Sequence, residues 1–454
     1  MRRVRCGSLM TVRRALVPAA AGFLLRLAIA PSYGSGGVDG DLIEQKQVLH
    51  VALDQGFHEI YRANARNDPA LTGRDWEGGY FTNYPPVIHY LRAATGWGYR
   101  QVSPEGFALW PPELNYLEAE KTDLRSRLAK SRGFTVALKI PGILADALLT
   151  LGLYAFAAPR AGERMGLLVA SVYALNPGIV FDTAYWGQHD AVAAGFLILG
   201  LRLVHGGRLE AGFSTAALGG LSKPQTNAFW PLLLALGLLR FPMSRVARAG
   251  LATAGVVVLI FSPFILGATL GITLDALLRS TFGGEPFVAC NANNLWWLIS
   301  GGRGYEVSDA LLVLGPLTPR LLGLLSFLGA CGLVARRLAG VADPDGTLGF
   351  LAAAVMGMSF FTLCTELHEN HMMAVIPLLA FALPGERRLW PVFVVLSATF
   401  LLNMVLFEET VVDPWAAWLG SSVPVRGLSL AVAAANTVGF VVLWRLFWHR
   451  TRRA

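Results

Sequence analysis

Four polar stretches interrupt an otherwise apolar chain: Asp39-Gly40-Asp41, Trp186-Gly187-Gln188-His189-Asp190, Lys223-Pro224-Gln225, and Glu366-Leu367-His368-Glu369-Asn370-His371. Ionisable groups at a membrane boundary are costly, which makes each stretch a candidate for function. A carboxylate such as Asp41 can take a proton from an incoming hydroxyl. A lysine and a histidine, Lys223 and His368, can hold an anion and stabilise charge on a departing group. Together these suit transfer from a phosphate-bearing lipid. Each stretch also has a plainer use. Asp39 or Asp41 can cap the helix that follows, and Asp190 can start its own. Lys223 can snorkel to headgroups, although its place between Ser222 and Pro224 favours anion binding, with Gln225 beside it. The Asp-x-Asp triplet and the His368/His371 spacing are weak metal signals, and no metal cofactor is expected. Glu369 can simply pair with a basic neighbour.

The setting predicts a membrane protein. Of 454 residues, 54% are hydrophobic and only 15% charged, with a mean hydropathy of +0.49. A soluble chain carries about 25% charged residues. Apolar runs of about 17–24 residues recur, as in polytopic helical proteins and unlike the alternating strands of barrels. The net charge of +8 gathers as arginines in short loops, which is the positive-inside pattern, so no nucleic acid is expected as partner. Cys6, Cys290, Cys331 and Cys364 show neither metal spacing nor a disulfide framework. A Cys290–Cys364 pair on the outer face is allowed but not favoured.

Charge then sets the organisation. Arginines before the first apolar run place residues 1–14 in the cytoplasm and 15–31 as a retained signal anchor. Residues 32–133 form an external loop carrying Asp41, 134–268 a transmembrane module, 269–319 a second external loop, 320–448 a C-terminal transmembrane module, and 449–454 a cytoplasmic tail. The expected fold is all-α and polytopic, with about twelve spans and both termini inside. Two amphipathic stretches of the first loop, 42–56 and 84–98, are expected to lie on the membrane surface. Whether the second spans instead stays open. Segment 211–222 is short, and predicts a broken helical hairpin whose polar end at Lys223 lines a cavity.

The order of motifs resembles the GT-C superfamily of integral-membrane glycosyltransferases. It most resembles the lumenal enzymes that use dolichyl-phosphate-glucose, and their bacterial polyprenyl-phosphate-dependent relatives. Gly40-Asp41 through Gln45 is similar to a Gly-Asp-Tyr-Glu-Ala-Gln motif, and Asn83-Tyr84-Pro85-Pro86 to an Asp-Tyr-Pro-Pro. Ser131-Arg132-Gly133 is followed by Asp146. Leu175-Asn176-Pro177-Gly178 leads to Gln188-His189-Asp190, and His368-Glu369 is similar to a His-Glu-Lys.

The resemblance implies that Asp41 is the general base and that His368 contacts the donor phosphate, assisted by Lys223 and Gln225. Asp39, Tyr84, Gln188, His189, Asp190, Glu369 and His371 would line the substrate. The implied reaction inverts the anomeric centre as a hexose, of glucose or mannose type, leaves polyprenyl phosphate for an acceptor hydroxyl. The acceptor would be a cell-envelope glycan or glycolipid, on the extracytoplasmic face of a bacterial inner membrane. Asn370 replaces the family lysine, and Lys223 is the expected substitute charge. The alternative is a lipid-linked-sugar transporter or flippase, for which inverted repeats are expected and none is visible.

Overall fold

The computed structural model describes residues 9–34, 40–62, 82, 84–114, 116, 119–281, 285–313, 315–343, 346–419 and 421–453. Asp39 lies outside the described residues. The helices in chain order are α1 (Leu9–Ile29), α2 (Asp41–Asp54), α3 (Pro86–Val102), α4 (Lys121–Lys130), α5 (Arg132–Ala161) and α6 (Glu163–Ala174). After a broken stretch come α7 (Asp190–His205), α8 (Leu209–Gly220), α9 (Trp230–Arg240), α10 (Met243–Leu266) and α11 (Leu270–Thr281). The C-terminal part holds α12 (Pro319–Leu338), α13 (Thr347–Leu363), α14 (Val375–Ala382), α15 (Leu389–Val405), α16 (Glu409–Leu419) and α17 (Val423–Arg453). Among the described residues the fold is all-helical, and extended pairing is confined to a bridge between Phe287 and Ser308.

Helices α5, α10, α12 and α17 are long and apolar enough to cross a membrane. Two bent pairs raise the number to six: α6 with Pro177–Trp186, at 43°, and α15 with α16, at 82°. Leu251, Val258, Leu259 and Leu266 of α10 are each more than half exposed, an apolar face that water would not tolerate uncovered. The hydropathy pattern predicts about twelve spans, and helix length accounts for the difference. Helices α7, α8 and α9 have 16, 12 and 11 residues. At ~1.5 Å per residue each falls short of a ~30 Å apolar core. Their side chains pack into the main core, where Leu197, Phe213, Leu232, Phe350 and Phe381 are buried together.

The first loop also departs from expectation. The sequence pattern places 42–56 on the membrane surface, yet α2 is buried from Leu42 to Ala52 apart from Glu44. Its polar side chains mislead because they are satisfied inside. Lys46 Nζ donates to Ser131 Oγ at 3.3 Å and stands 4.6 Å over the Trp110 ring. Gln47 Nε2 donates to the Pro111 and Leu114 carbonyls at 2.9 and 2.8 Å. Leu42, Leu49, Ala93, Trp110, Leu128 and Phe134 form a separate core that fixes α2, α3 and α4 onto the start of α5. Helix α3, 17 residues long, is not among the helices long and apolar enough to cross.

A buried ion pair ties α1 to this frame. Arg26 Nε donates to Asp146 Oδ2 at 2.9 Å, both side chains being 1% exposed. Arg26 Nη1 donates to the Ala174 carbonyl at 2.6 Å, and Tyr173 Oη to Asp146 Oδ1 at 2.6 Å. Three helices thus share one carboxylate, which completes its hydrogen bonding and so offsets the cost of burying it. Tyr173→Phe removes one bond to a charged acceptor, and unfolding in micelles should show a loss of about 1.5–3 kcal/mol. Unchanged stability would mean that the hydroxyl contributes nothing net.

Candidate active site

The centre of the site is a helix that breaks and restarts. Asn176 caps Pro177–Val180 by accepting from the Gly178 and Ile179 amides, and Pro177 fills the first position, where no amide hydrogen is needed. The chain then makes one π-helical turn, Phe181–Trp186, ending at Gly187 with φ +82°. That left-handed conformation suits only glycine without cost. Lys139 of α5 closes the break. Its ammonium donates to the Ala184 and Tyr185 carbonyls at 2.8 Å each and to the Ser32 carbonyl at 2.7 Å. One lysine therefore satisfies the freed carbonyls and fixes the exit of α1 beside them.

Asp41 opens α2 behind Gly40, whose φ is +130°. A Cβ on Gly40 would stand 2.9 Å from the Tyr116 ring, so a side chain is excluded. The Asp41 side chain is exposed, and its Oδ2 accepts from Gln188 Nε2 at 3.4 Å. Gln188 Oε1 accepts from Tyr84 Oη and from Lys223 Nζ, each at 3.4 Å. Lys223 Nζ pairs with Asp190 Oδ2, with the two side chains 4% and 7% exposed. Asn370 Nδ2 donates to the same oxygen at 3.2 Å. One chain of contacts thus links Asp41, Gln188, Lys223, Asp190 and Asn370 from four distant segments.

Tyr84 is held in place by its backbone, whose carbonyl meets Tyr61 Oη at 2.5 Å and His89 Nε2 at 3.1 Å. Its ring meets His189 edge-on, 4.4 Å between centroids. His189 Nε2 faces the Ser222 carbonyl at 3.1 Å, and its Nδ1 faces Arg92 Nη2 at 3.3 Å. A carbonyl only accepts and a guanidinium only donates, so this imidazole is neutral with its proton on Nε2. His189 is a strut between α3 and the end of α8.

The His-Glu loop forms the other wall. His368 Nε2 lies 3.5 Å from Glu285 Oε1 and its Nδ1 4.0 Å from Glu369 Oε2. Asn403 of α15 donates to the Glu369 carbonyl. His371 Nδ1 accepts from the His368 amide at 3.3 Å. His371 and Gln225 line a small pocket with Asp190, Thr226 and Phe360.

Two of the expected phosphate-binding groups have acidic neighbours. Lys223, the expected substitute for the family lysine, is paired with Asp190, and His368 faces Glu285 and Glu369. Arg92 of α3 is 1% exposed, and among the described residues its side chain meets His189 and the Gly187 carbonyl, the latter at 3.2 Å. Among the described residues its Nε and Nη1 have no hydrogen-bond partner, nor do the carboxylate oxygens of fully buried Asp182. Only their contacts could have revealed these two; no motif marks them.

Glu44 lies one turn beyond Asp41. Although its side chain is partly accessible, desolvation by the surrounding protein first, then the Asp41 carboxylate, push its carboxyl well above the usual range against the opposing pull of Arg92. The folded chain therefore keeps a proton that the unfolded chain releases. That contribution is complete below the ordinary carboxylate value, about 4.3, and is lost as pH rises through the raised one. Unfolding temperature should fall with rising pH more steeply for the parent than for Glu44→Gln. Equal slopes would remove Glu44 from this account.

Fold and site together define an all-helical protein with several helices able to cross a membrane and a charged, largely buried interior. Comparison with models of known protein families and with curated proteins finds no match for this chain.

Proposed function

We propose that the chain is a GT-C-type membrane glycosyltransferase moving a hexose from polyprenyl phosphate to an acceptor hydroxyl. In this reading the shorter helices complete about twelve crossings, the termini are cytoplasmic, and the 32–133 segment stands on the extracytoplasmic side of a bacterial inner membrane. The observation that carries the proposal is the contact chain from exposed Asp41 through Gln188 to the Lys223–Asp190–Asn370 group.

Asp41 takes the proton of the acceptor hydroxyl, whose oxygen attacks the anomeric carbon. The bond from that carbon to the phosphate oxygen breaks, and the electron pair leaves with the polyprenyl phosphate. Configuration inverts, since attack and departure occupy opposite faces. Gln188 orients the carboxylate. In this reading the unused Arg92 donors and His368 would meet the negative charge, since donors held ready stabilise it without reorganisation.

The test uses purified protein in nanodiscs with short-chain polyprenyl-phosphate hexoses, following release of polyprenyl phosphate with and without an envelope lipid extract. Extract-dependent release supports the transferase. The break at Pro177–Trp186, bent 43° from α6, also suits a transporter, because transporters build sites at interrupted helices. Movement of intact donor across sealed vesicles without release would replace the first reading with the second.

A further inference from the structure

Around the His-Glu loop, three side chains of different chemistry converge: Glu285, Cys290 and His368. Their ligand atoms all lie within 4.8 Å of one another, and His368 Nε2 is already 3.5 Å from Glu285 Oε1. Ligand atoms of a tetrahedral zinc site stand about 3.3–3.8 Å apart, given bonds of about 2.0–2.3 Å. Small side-chain rotations close the difference.

The surroundings resemble those of a metal site in two further ways. Glu285 Oε2 is buried and has no hydrogen-bond partner among the described residues, although its residue is partly exposed. Behind His368, the Glu369 carboxylate faces Nδ1 at 4.0 Å, the place where a carboxylate orients a metal-bound histidine. The backbone holds both halves together: the Cys290 amide donates to the Leu367 carbonyl at 2.9 Å and the Glu366 amide to the Phe287 carbonyl at 3.1 Å. Cys290 is a free thiol in this arrangement.

We infer that Glu285, Cys290 and His368 form a binding site for a borderline-soft divalent cation of the zinc type, with Glu369 orienting His368. A thiolate–imidazole–carboxylate set selects such an ion over magnesium or calcium, which prefer oxygen alone. Binding releases the Cys290 thiol proton to solvent. Three protein ligands leave a fourth position for water or an oxygen of an anionic ligand. The inference does not rest on the transferase reading, because metal loading is measured without any sugar substrate.

The experiment strips purified full-length protein in nanodiscs with a chelator and titrates Co²⁺ alone. The parent and Cys331→Ser should show a thiolate-to-cobalt charge-transfer band at one equivalent, displaced by Zn²⁺. Cys290→Ser should lose the band, and Glu369→Gln should weaken binding by about 10–100-fold. Should Cys290→Ser fail to fold, X-ray absorption of the zinc-loaded parent decides, with one sulfur in the coordination shell expected. No band in the parent, a band that survives in Cys290→Ser, or a sulfur-free shell overturns the site.

Discussion

Asp41→Asn is expected to lower hexose transfer by about 10²–10⁴-fold, the range contributed by a positioned general base. The amide keeps the shape of the carboxylate and its contact with Gln188, but it cannot accept the acceptor proton. Donor binding should therefore stay at the parental level, and so should folding. Asp41 is exposed, and substitutions at exposed sites usually change stability by no more than about 0.5 kcal/mol. Single-turnover release of polyprenyl phosphate, alongside direct donor binding, separates the two quantities. Transfer at the parental rate would remove Asp41 as the base and the proposed mechanism with it.

Lys223→Met should act on stability and activity together. Lys223 and Asp190 are both almost fully buried, and removing the ammonium leaves Asp190 with Asn370 as its remaining side-chain donor. Breaking a buried pair from one side typically costs about 3–5 kcal/mol, because the surviving charge is left desolvated. Replacing both charges, as in Lys223→Met with Asp190→Leu, should recover most of that loss. It should not fully recover transfer, because Gln188 loses one of the two donors to its Oε1 and so orients Asp41 less well. Denaturant unfolding and the release assay on the single and double variants form one cycle. A single variant as stable as the parent would show that the pair carries no net charge burial, and a double variant with parental transfer would uncouple it from Asp41.

The contrast between Lys223 and Arg92 shows how far a motif can be read. Lys223 stands in a conspicuous Ser-Lys-Pro break, and its burial beside polar groups was legible. Its neutralisation by Asp190 was not, because that pair joins residues 33 positions apart with opposite roles until they meet. Arg92 lies in an ordinary amphipathic helix, where a long basic side chain reads as exposed. Only the packing of α3 against the Gly187 turn turns it inward. Lys46 and Gln47 repeat the point, since polar type predicts exposure only when no partner waits inside.

By itself, the sequence determined the apolar helical character, the helix at 211–222, and the polar stretches whose residues meet near Asp41. These follow from local properties, namely apolar runs, helix-breaking prolines and glycines, and caps such as Asn176. The tertiary structure alone decided which helices are long enough to cross, that α2, α3 and α4 pack around a core of their own against the start of α5, and which ionisable groups neutralise one another. Helix length depends on where breaks are stabilised by distant partners such as Lys139. Charge pairing and the grouping of Glu285, Cys290 and His368 depend on distances between segments, which no local pattern encodes.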